Sequence, residues 1–429
     1  MHNPFYCYSE DTIRPQITMF DAETPYELVR GRNIDGNASN CIPSKFWLIG
    51  RTGQDLPRDY EISSIFRNGE TLQRNILNNY DAGRTTLCAA DIAMIRDWKF
   101  DPNITYENAE LLTESGWNDI KAIAQRYQSA LPTILSSTYL PTDYLFRSIS
   151  TQAEKASLAA FADGLFGLGG HKQVEFEIID DPDLLLLPRS QCPLFNELIT
   201  NELEVNAFVE GPEYEEMITQ VSSKLGFRAS SPLTHDELNT LLLLCRFEQA
   251  LAMNSTAPFC SSFSVANIQV HEYRRDIFFI HRYGYGQSNY RRLYENMPCH
   301  IMQDMMNFLR SNDPNDRRVR IFYSDLNLMQ LIFVALNAHE DQVPLNRHNF
   351  AQQVFRQWKT SYISPKGANV AVIRYDCANG DHDILFMQNE KPLQLPGCQS
   401  NGLCKFSMIL NRLSHYLDIN CSEIFCTNN

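Results

Sequence analysis

Two short stretches gather side chains that can handle an anion. Arg51-Thr52-Gly53-Gln54-Asp55-Leu56-Pro57 sets a cation, a hydroxyl and a carboxylate within five residues, and Ser324-Asp325-Leu326-Asn327 sets a hydroxyl beside a carboxylate. Each follows a stretch that reads as a buried strand: Lys45–Ile49, which runs into Gly50, and Arg318–Tyr323. In open α/β sheets the reactive groups sit on loops just past the carboxyl ends of strands, so these loops are where chemistry is expected. A hydroxyl becomes a competent nucleophile only beside a base, and neither loop carries a histidine. Ser324-Asp325 is therefore not read as a hydrolase dyad. His339-Glu340 lies beyond the helix that follows the second loop and reads as surface. His171, His235, His271, His281, His300, His348, His382 and His415 show no metal-ligand spacing, so neither a metal nor a cofactor is expected.

The elements that must position these loops are legible in outline. From Trp117 the apolar positions Ile120, Ile123, Ala124, Tyr127 and Leu131 recur at helical spacing. A second helix is expected over Gln152–Phe166, stopped by Gly167, Gly169 and Gly170. Thr234 and Glu237 form a capping box before Leu238, Leu241, Leu242 and Cys245. The stretch from 195 to 311 is rich in helical pattern, and Leu326–Leu336 reads as a helix. Asn369–Tyr375 and Ile384–Gln388 flank Asn379-Gly380, a β-hairpin signal. Strand-then-helix at both ends around a helical block predicts an α/β class: a sheet domain flanked by helices, over 1–165 and 312–429, with an inserted mainly helical cap over 166–311.

Composition limits the function classes. The chain has 429 residues and a formal net charge of −14, which argues against the broad basic footprint that nucleic acid or an anionic membrane requires. The apolar run Leu328–Leu336 is far short of the ~20 residues of a membrane span, so no transmembrane segment is expected. The pairs Arg274-Arg275 and Arg291-Arg292, and Arg317-Arg318 with Arg320, read first as solvated faces. Twelve cysteines, with Asn-x-Ser/Thr sequons at Asn37, Asn103, Asn254 and Asn420, point to a secreted, disulfide-bonded glycoprotein, although the first residues lack a signal-peptide pattern.

A wider set of residues carries a resemblance. It comprises Phe20–Tyr26; Phe146-Arg147 ahead of Gly164-Leu165-Phe166-Gly167; Cys245–Glu248 with Cys260; Arg282–Gly286; Arg356–Ser361; Asn389-Glu390; and Leu395–Cys398 before Cys404. In this order they resemble the multiple inositol polyphosphate phosphatases, a branch of the histidine acid phosphatases, and the insect forms in particular. The resemblance implies a phosphatase α/β core with a helical cap over the site, and disulfides Cys245–Cys260 and Cys398–Cys404. The other eight cysteines cannot be paired from sequence.

Family members carry Arg-His-Gly-x-Arg-x-Pro on the first loop; the histidine forms a phosphohistidine and the arginines clamp phosphate. Here Arg51, Gly53 and Pro57 match, but Thr52 holds the nucleophile position and Asp55 that of the second arginine. Arg147 matches the phosphate-binding arginine before the next helix. On the second loop Ser324 holds the histidine position, and the acid is Asp325 in one register or gives way to Leu326 in the other. The expectation is a phosphatase fold without phosphoryl transfer, acting in binding, storage or structure. The alternative is an active inositol polyphosphate phosphatase of altered mechanism. Arg51 and Arg147 are the candidates to hold an anionic or phosphorylated small molecule, unless acids such as Asp55 or Asp325 neutralise them.

Overall fold

The computed structural model describes residues 6–34, 38, 40–179, 183–251 and 255–428. The sheet is built from β1 (Cys41–Gly50), β2 (Tyr144–Ile149), β3 (Phe176–Ile179), β4 (Val319–Tyr323), β5 (Asn369–Cys377), β6 (His382–Gln388), β7 (Lys391–Pro392) and β8 (Leu403–Lys405). Their order is β3-β2-β4-β1-β5-β6-β7, with β8 also on β6. The four strands β3, β2, β4 and β1 run parallel, and β5 turns the sheet antiparallel. The Asn379-Gly380 signal joins β5 to β6, with Gly380 at φ 84°, a value glycine adopts without strain.

Both faces of the central strands are covered, which is why β1 reads as a continuous apolar run rather than an alternating one. Trp47 and Ile49 belong to one core, Phe46 and Leu48 to the other. The second core is closed by helices Glu114–Ala130 and Gln152–Phe166, which approach so closely that a Cβ on Gly164 would sit 2.4 Å from the Lys121 carbonyl oxygen. The first core takes its helices from Asp59–Asp81, His235–Leu251, Val265–Tyr283 and Cys299–Arg310. The Thr234–Glu237 capping box is present, Glu237 N donating to Thr234 Oγ1 at 3.2 Å and Thr234 N to Glu237 Oε2 at 2.8 Å.

The α/β class stands as expected, and the stretch from 195 to 311 is mainly helical. β3 lies inside the 166–311 stretch yet extends the main sheet through β2. The helix Asp59–Asp81, from the 1–165 stretch, packs on the cap helix His235–Leu251, with Ser64 Oγ 2.8 Å from Thr240 Oγ1. Six disulfides join Cys7–Cys88, Cys41–Cys377, Cys192–Cys426, Cys245–Cys260, Cys299–Cys421 and Cys398–Cys404, which includes both pairs the resemblance implied and connects the other eight cysteines. Among the described residues no helix is long and apolar enough to cross a membrane.

Candidate functional site

β1 and β4 are neighbours with Gly50 opposite Tyr323, so their trailing loops emerge side by side. Ser324 N donates to the Gly50 carbonyl at 3.0 Å, joining the loops directly. The Arg51–Pro57 loop is fixed along its length. Arg51 N donates to Ala368 O at 2.8 Å, Gly367 N to Thr52 O at 2.7 Å, and Leu56 N to Leu111 O at 3.0 Å. Gly53 N donates to Ser157 Oγ at 3.1 Å, and a Cβ on Gly53 would meet the Gly116 carbonyl at 2.5 Å, so only glycine lets the loop approach that helix start.

Each candidate side chain on this frame is engaged within the protein. Arg51 is 5% exposed; its Nη1 donates to Ala22 O at 2.6 Å and Ser364 O at 2.8 Å, while its Nη2 lies 3.7 Å from Glu23. Thr52 Oγ1 donates to Gly53 O at 2.6 Å. Asp55 does not neutralise Arg51 through an ion pair: it bonds Lys366, which also lies 3.7 Å from Glu23. The second loop behaves alike. Ser324 Oγ donates to Leu186 O at 2.6 Å, and Ser324 has no exposed surface. Asp325 caps helix Leu326–Ala335 by accepting from Leu328 N at 3.0 Å, and its other oxygen meets Arg189 at 3.2 Å rather than Arg51 or Arg147. The segment from Asp183 to Arg189 thus lies over the carboxyl edge of β2 and β4.

Arg147 sits inside β2, opposite Phe322 of β4, and pairs with Asp183 at 3.2 Å. It also acts electrostatically on Asp304 of helix Cys299–Arg310. Its acidic neighbours are distinct from those of Arg51, which are Glu23, Asp55 and Asp21. The structure brings Arg51, Thr52, Asp55 and Ser324 to one sheet edge and gives Arg147 a separate ionic environment.

A second charge cluster meets the first from the cap side. Asp21, wholly buried, bonds Arg246 at 2.5 Å and lies 3.4 Å from both Arg275 and His271. Burial alone would raise its carboxyl, but Arg275, Arg246 and His271 together hold it well below the usual carboxylate range. Burial pulls His271 down to about 3, so this imidazole is neutral at physiological pH; it faces Asp21 from the cap helix. Burial would likewise raise Glu23, but Lys366 and Arg51 hold it low, whereas burial and the nearby Glu23 push Asp55 up.

The sequence reading missed Glu23, Ser157, Lys366 and Glu154. Burial raises the Glu154 carboxyl, and the charges of Asp325 and Asp55 add to that, which locates Glu154 within electrostatic reach of both loops; it bonds Thr151. Glu23 lies within the Phe20–Tyr26 stretch quoted for the resemblance but carries no role there, and Ser157, Lys366 and Glu154 come from elements remote in sequence that no local motif marks. Of the sequons, Asn103 and Asn420 are exposed, and Asn37 and Asn254 lie outside the described residues. The groupings Cys7, Cys88, Asp91 and Cys41, Cys377, Asp383 have their sulfurs in disulfides and so offer no thiolate to a metal.

Comparison with known proteins agrees with this arrangement. The family model of the histidine phosphatase superfamily (branch 2) matches residues 58–391, beginning immediately past the Arg51–Pro57 loop. The chain is 33% identical to a multiple inositol polyphosphate phosphatase 1 of Drosophila melanogaster, covering 98% of this chain and 90% of that one. It is 23% identical to the Homo sapiens protein of the same name, over 88% and 80% of the two chains. Among solved structures it is similar to the phytase from D. castellii, with TM-score 0.74, 16% identity and coverage of 96% and 88%. It is also similar to a Bifidobacterium longum multiple inositol polyphosphate phosphatase in complex with inositol hexasulfate, with TM-score 0.67, 12% identity and coverage of 93% and 98%. With this sheet order, this helical cap and this full-length likeness, the chain belongs to the multiple inositol polyphosphate phosphatase family of the histidine phosphatase superfamily, branch 2.

Proposed function

We propose that this chain keeps the family fold without catalysing phosphoryl transfer, and serves as a secreted binding or structural protein. The observation that carries the reading is the state of the two hydroxyls at the histidine positions. Thr52 and Ser324 each donate to a backbone carbonyl at 2.6 Å, and neither has a histidine as partner. No base is at hand to deprotonate either hydroxyl, and a threonine alkoxide would be a far poorer leaving group from a phospho-enzyme than an imidazole. Asp325, the residue on which an altered mechanism would depend, is occupied as a helix cap and as the partner of Arg189. Secretion is supported by disulfides that span up to 336 residues, which persist only in an oxidising compartment.

The direct test is phosphate release from inositol hexakisphosphate and from an aryl phosphate across acidic to neutral pH, with acid-quench trapping of any phospho-enzyme. No turnover and no label on the protein are expected; robust release, or a covalent phosphate, overturns the reading. The double variant T52H/S324H is expected to stay inactive, because Arg51 remains held by Ala22, Ser364 and Glu23 and because Asp55 repels the substrate.

One observation favours retained anion binding on the cap side. Arg246 and Arg274 each leave Nε buried without a hydrogen-bond partner, Arg275 Nε meets Asp21 only at 3.4 Å, and Asp21 is the acid that the three share. An anionic or phosphorylated small molecule would then be held by the cap arginines instead of by Arg51 and Arg147. Calorimetry with inositol hexakisphosphate separates the two: heat abolished by Arg275→Gln but retained in Arg147→Gln supports the cap site, and no heat at all leaves a scaffold role.

A further inference from the structure

The loop after helix Ala89–Asp97 combines an exposed sequon with a cluster of aromatic rings that pack on one another and leave part of their surface open. Asn103 is exposed, and Phe100 and Tyr106 lie three residues to either side of it. Both rings converge on Phe66 of helix Asp59–Asp81, edge-on, with centroids 5.4 Å and 5.8 Å away. Phe66 and Tyr106 are 40% and 49% exposed, whereas a ring of either kind normally contributes to a core. The ledge continues past Phe100, edge-on to Trp98 at 4.8 Å, into a surface cavity of about 430 Å³ lined by Glu70, Gln73, Arg74, Trp98, Lys99 and Phe100. An aromatic floor with polar and charged walls suits the apolar ring faces and the hydroxyl groups of a saccharide.

We infer that Asn103 carries an N-linked glycan whose first sugars lie on the Phe66–Phe100–Tyr106 ledge. In forming it, Asn103 Nδ2 bonds to the anomeric carbon of an oligosaccharide carried on a lipid pyrophosphate. The sugar–phosphate C–O bond breaks, the lipid pyrophosphate leaves, and one Nδ2 proton passes to solvent. The amide keeps its second hydrogen, so the bond that Nδ2 donates to Asp101 Oδ1 at 3.0 Å survives modification and orients the glycan stem. Three residues of chain reach about 10 Å in either direction, so the ledge is within the span of the two innermost sugars. Asn420 provides the internal contrast: it is exposed too, but it caps the short helix Cys421–Ile424 and bonds Glu423 at 2.9 Å, and among the described residues from 412 to 428 no phenylalanine, tyrosine or tryptophan side chain is exposed.

The test uses the full chain secreted from a eukaryotic host, with glycopeptide mass spectrometry for occupancy and an endoglycosidase time course on native and on denatured protein. Expected is near-complete occupancy of Asn103, abolished in N103Q and in Thr105→Val but kept in Thr105→Ser, which preserves both the sequon and the cap to Asn108 N. Release of this glycan from native protein is expected to run at least several-fold slower than from denatured protein. Phe66→Ala, with occupancy unchanged, removes that difference. An unoccupied Asn103 in the secreted protein, or release at equal rates from native and denatured protein, overturns the inference.

Discussion

Lys366 offers the most demanding test of the charge arrangement at the sheet edge. Its ammonium, with the side chain 8% exposed, bonds Asp55 and lies 3.7 Å from Glu23. Glu23 retains a second cation, Arg51, at the same distance, whereas among the described residues Asp55 makes no other ion pair and feels Arg51 only at longer range. Lys366→Met keeps most of the volume and leaves Asp55 as a buried carboxylate without its partner. Breaking a buried pair from one side costs about 3–5 kcal/mol. At roughly 2–4 °C per kcal/mol for domains somewhat smaller than this chain, the melting temperature should fall by about 6–20 °C, toward the lower end here.

The cost depends on pH, with a sign fixed by the two carboxyls. Glu23 is held below its ordinary value in the wild type, so its contribution is present above that value and fades as pH falls through the folded one. Asp55 is already pushed up by burial, and losing Lys366 pushes it further; protonation then relieves the variant. The deficit of Lys366→Met should therefore be largest near pH 7.5 and shrink toward pH 4. The double variant Lys366→Met/Asp55→Asn should recover most of the loss at pH 7.5. Thermal melts followed by circular dichroism at three pH values read all of this. A melting temperature within 1 °C of wild type at pH 7.5, or no recovery in the double variant, would refute the reasoning.

Other perturbations should separate equally well. Arg356→Met removes the cation that bonds Asp276 at 2.5 Å and Glu272 at 2.8 Å, and should cost about 3–5 kcal/mol in a denaturant titration. Replacing Cys245 and Cys260 by alanine opens a link of separation 15 and should cost about 3 kcal/mol by the same titration. His271 is buried and neutral in the folded chain but protonates near its ordinary value of 6.5 once unfolded, so the wild type should lose stability as pH falls from about 6.5 toward 3. His271→Gln should flatten that slope, and an unchanged slope would exclude His271 as its source. Asp325→Asn keeps a cap of comparable quality, so stability should move by less than about 1 kcal/mol.

What was legible in the sequence follows the range of the interactions involved. Helix Gln152–Phe166 was read at both ends, because its apolar positions and the glycines after it are local signals. The β5–β6 hairpin was read from Asn379-Gly380 for the same reason. β2 and β3 were not recognised: β2 carries Arg147 in its middle, and β3 is four residues long with Glu177 inside it, so neither shows a clean period. The two site loops were found because they follow strands. Their true partners were not, since Glu23, Glu154, Lys366 and Ala22 are brought in by tertiary packing. Asp55 does lie within electrostatic reach of Arg51, but its ion pair is with Lys366, which comes from the stretch just ahead of β5 and is not revealed by sequence proximity to Arg51.

The way the cap is stitched has a consequence for biosynthesis. Cys192 and Cys299 find their partners 234 and 122 residues later, at Cys426 and Cys421. At about 5–20 residues per second, Cys192 waits on the order of 10–50 s with its sulfur unclaimed, while Cys245 and Cys260 emerge only 15 residues apart. A nascent chain therefore passes through a window in which mispairing is open to it, and its yield in a cell should rise and fall with the supply of disulfide isomerase.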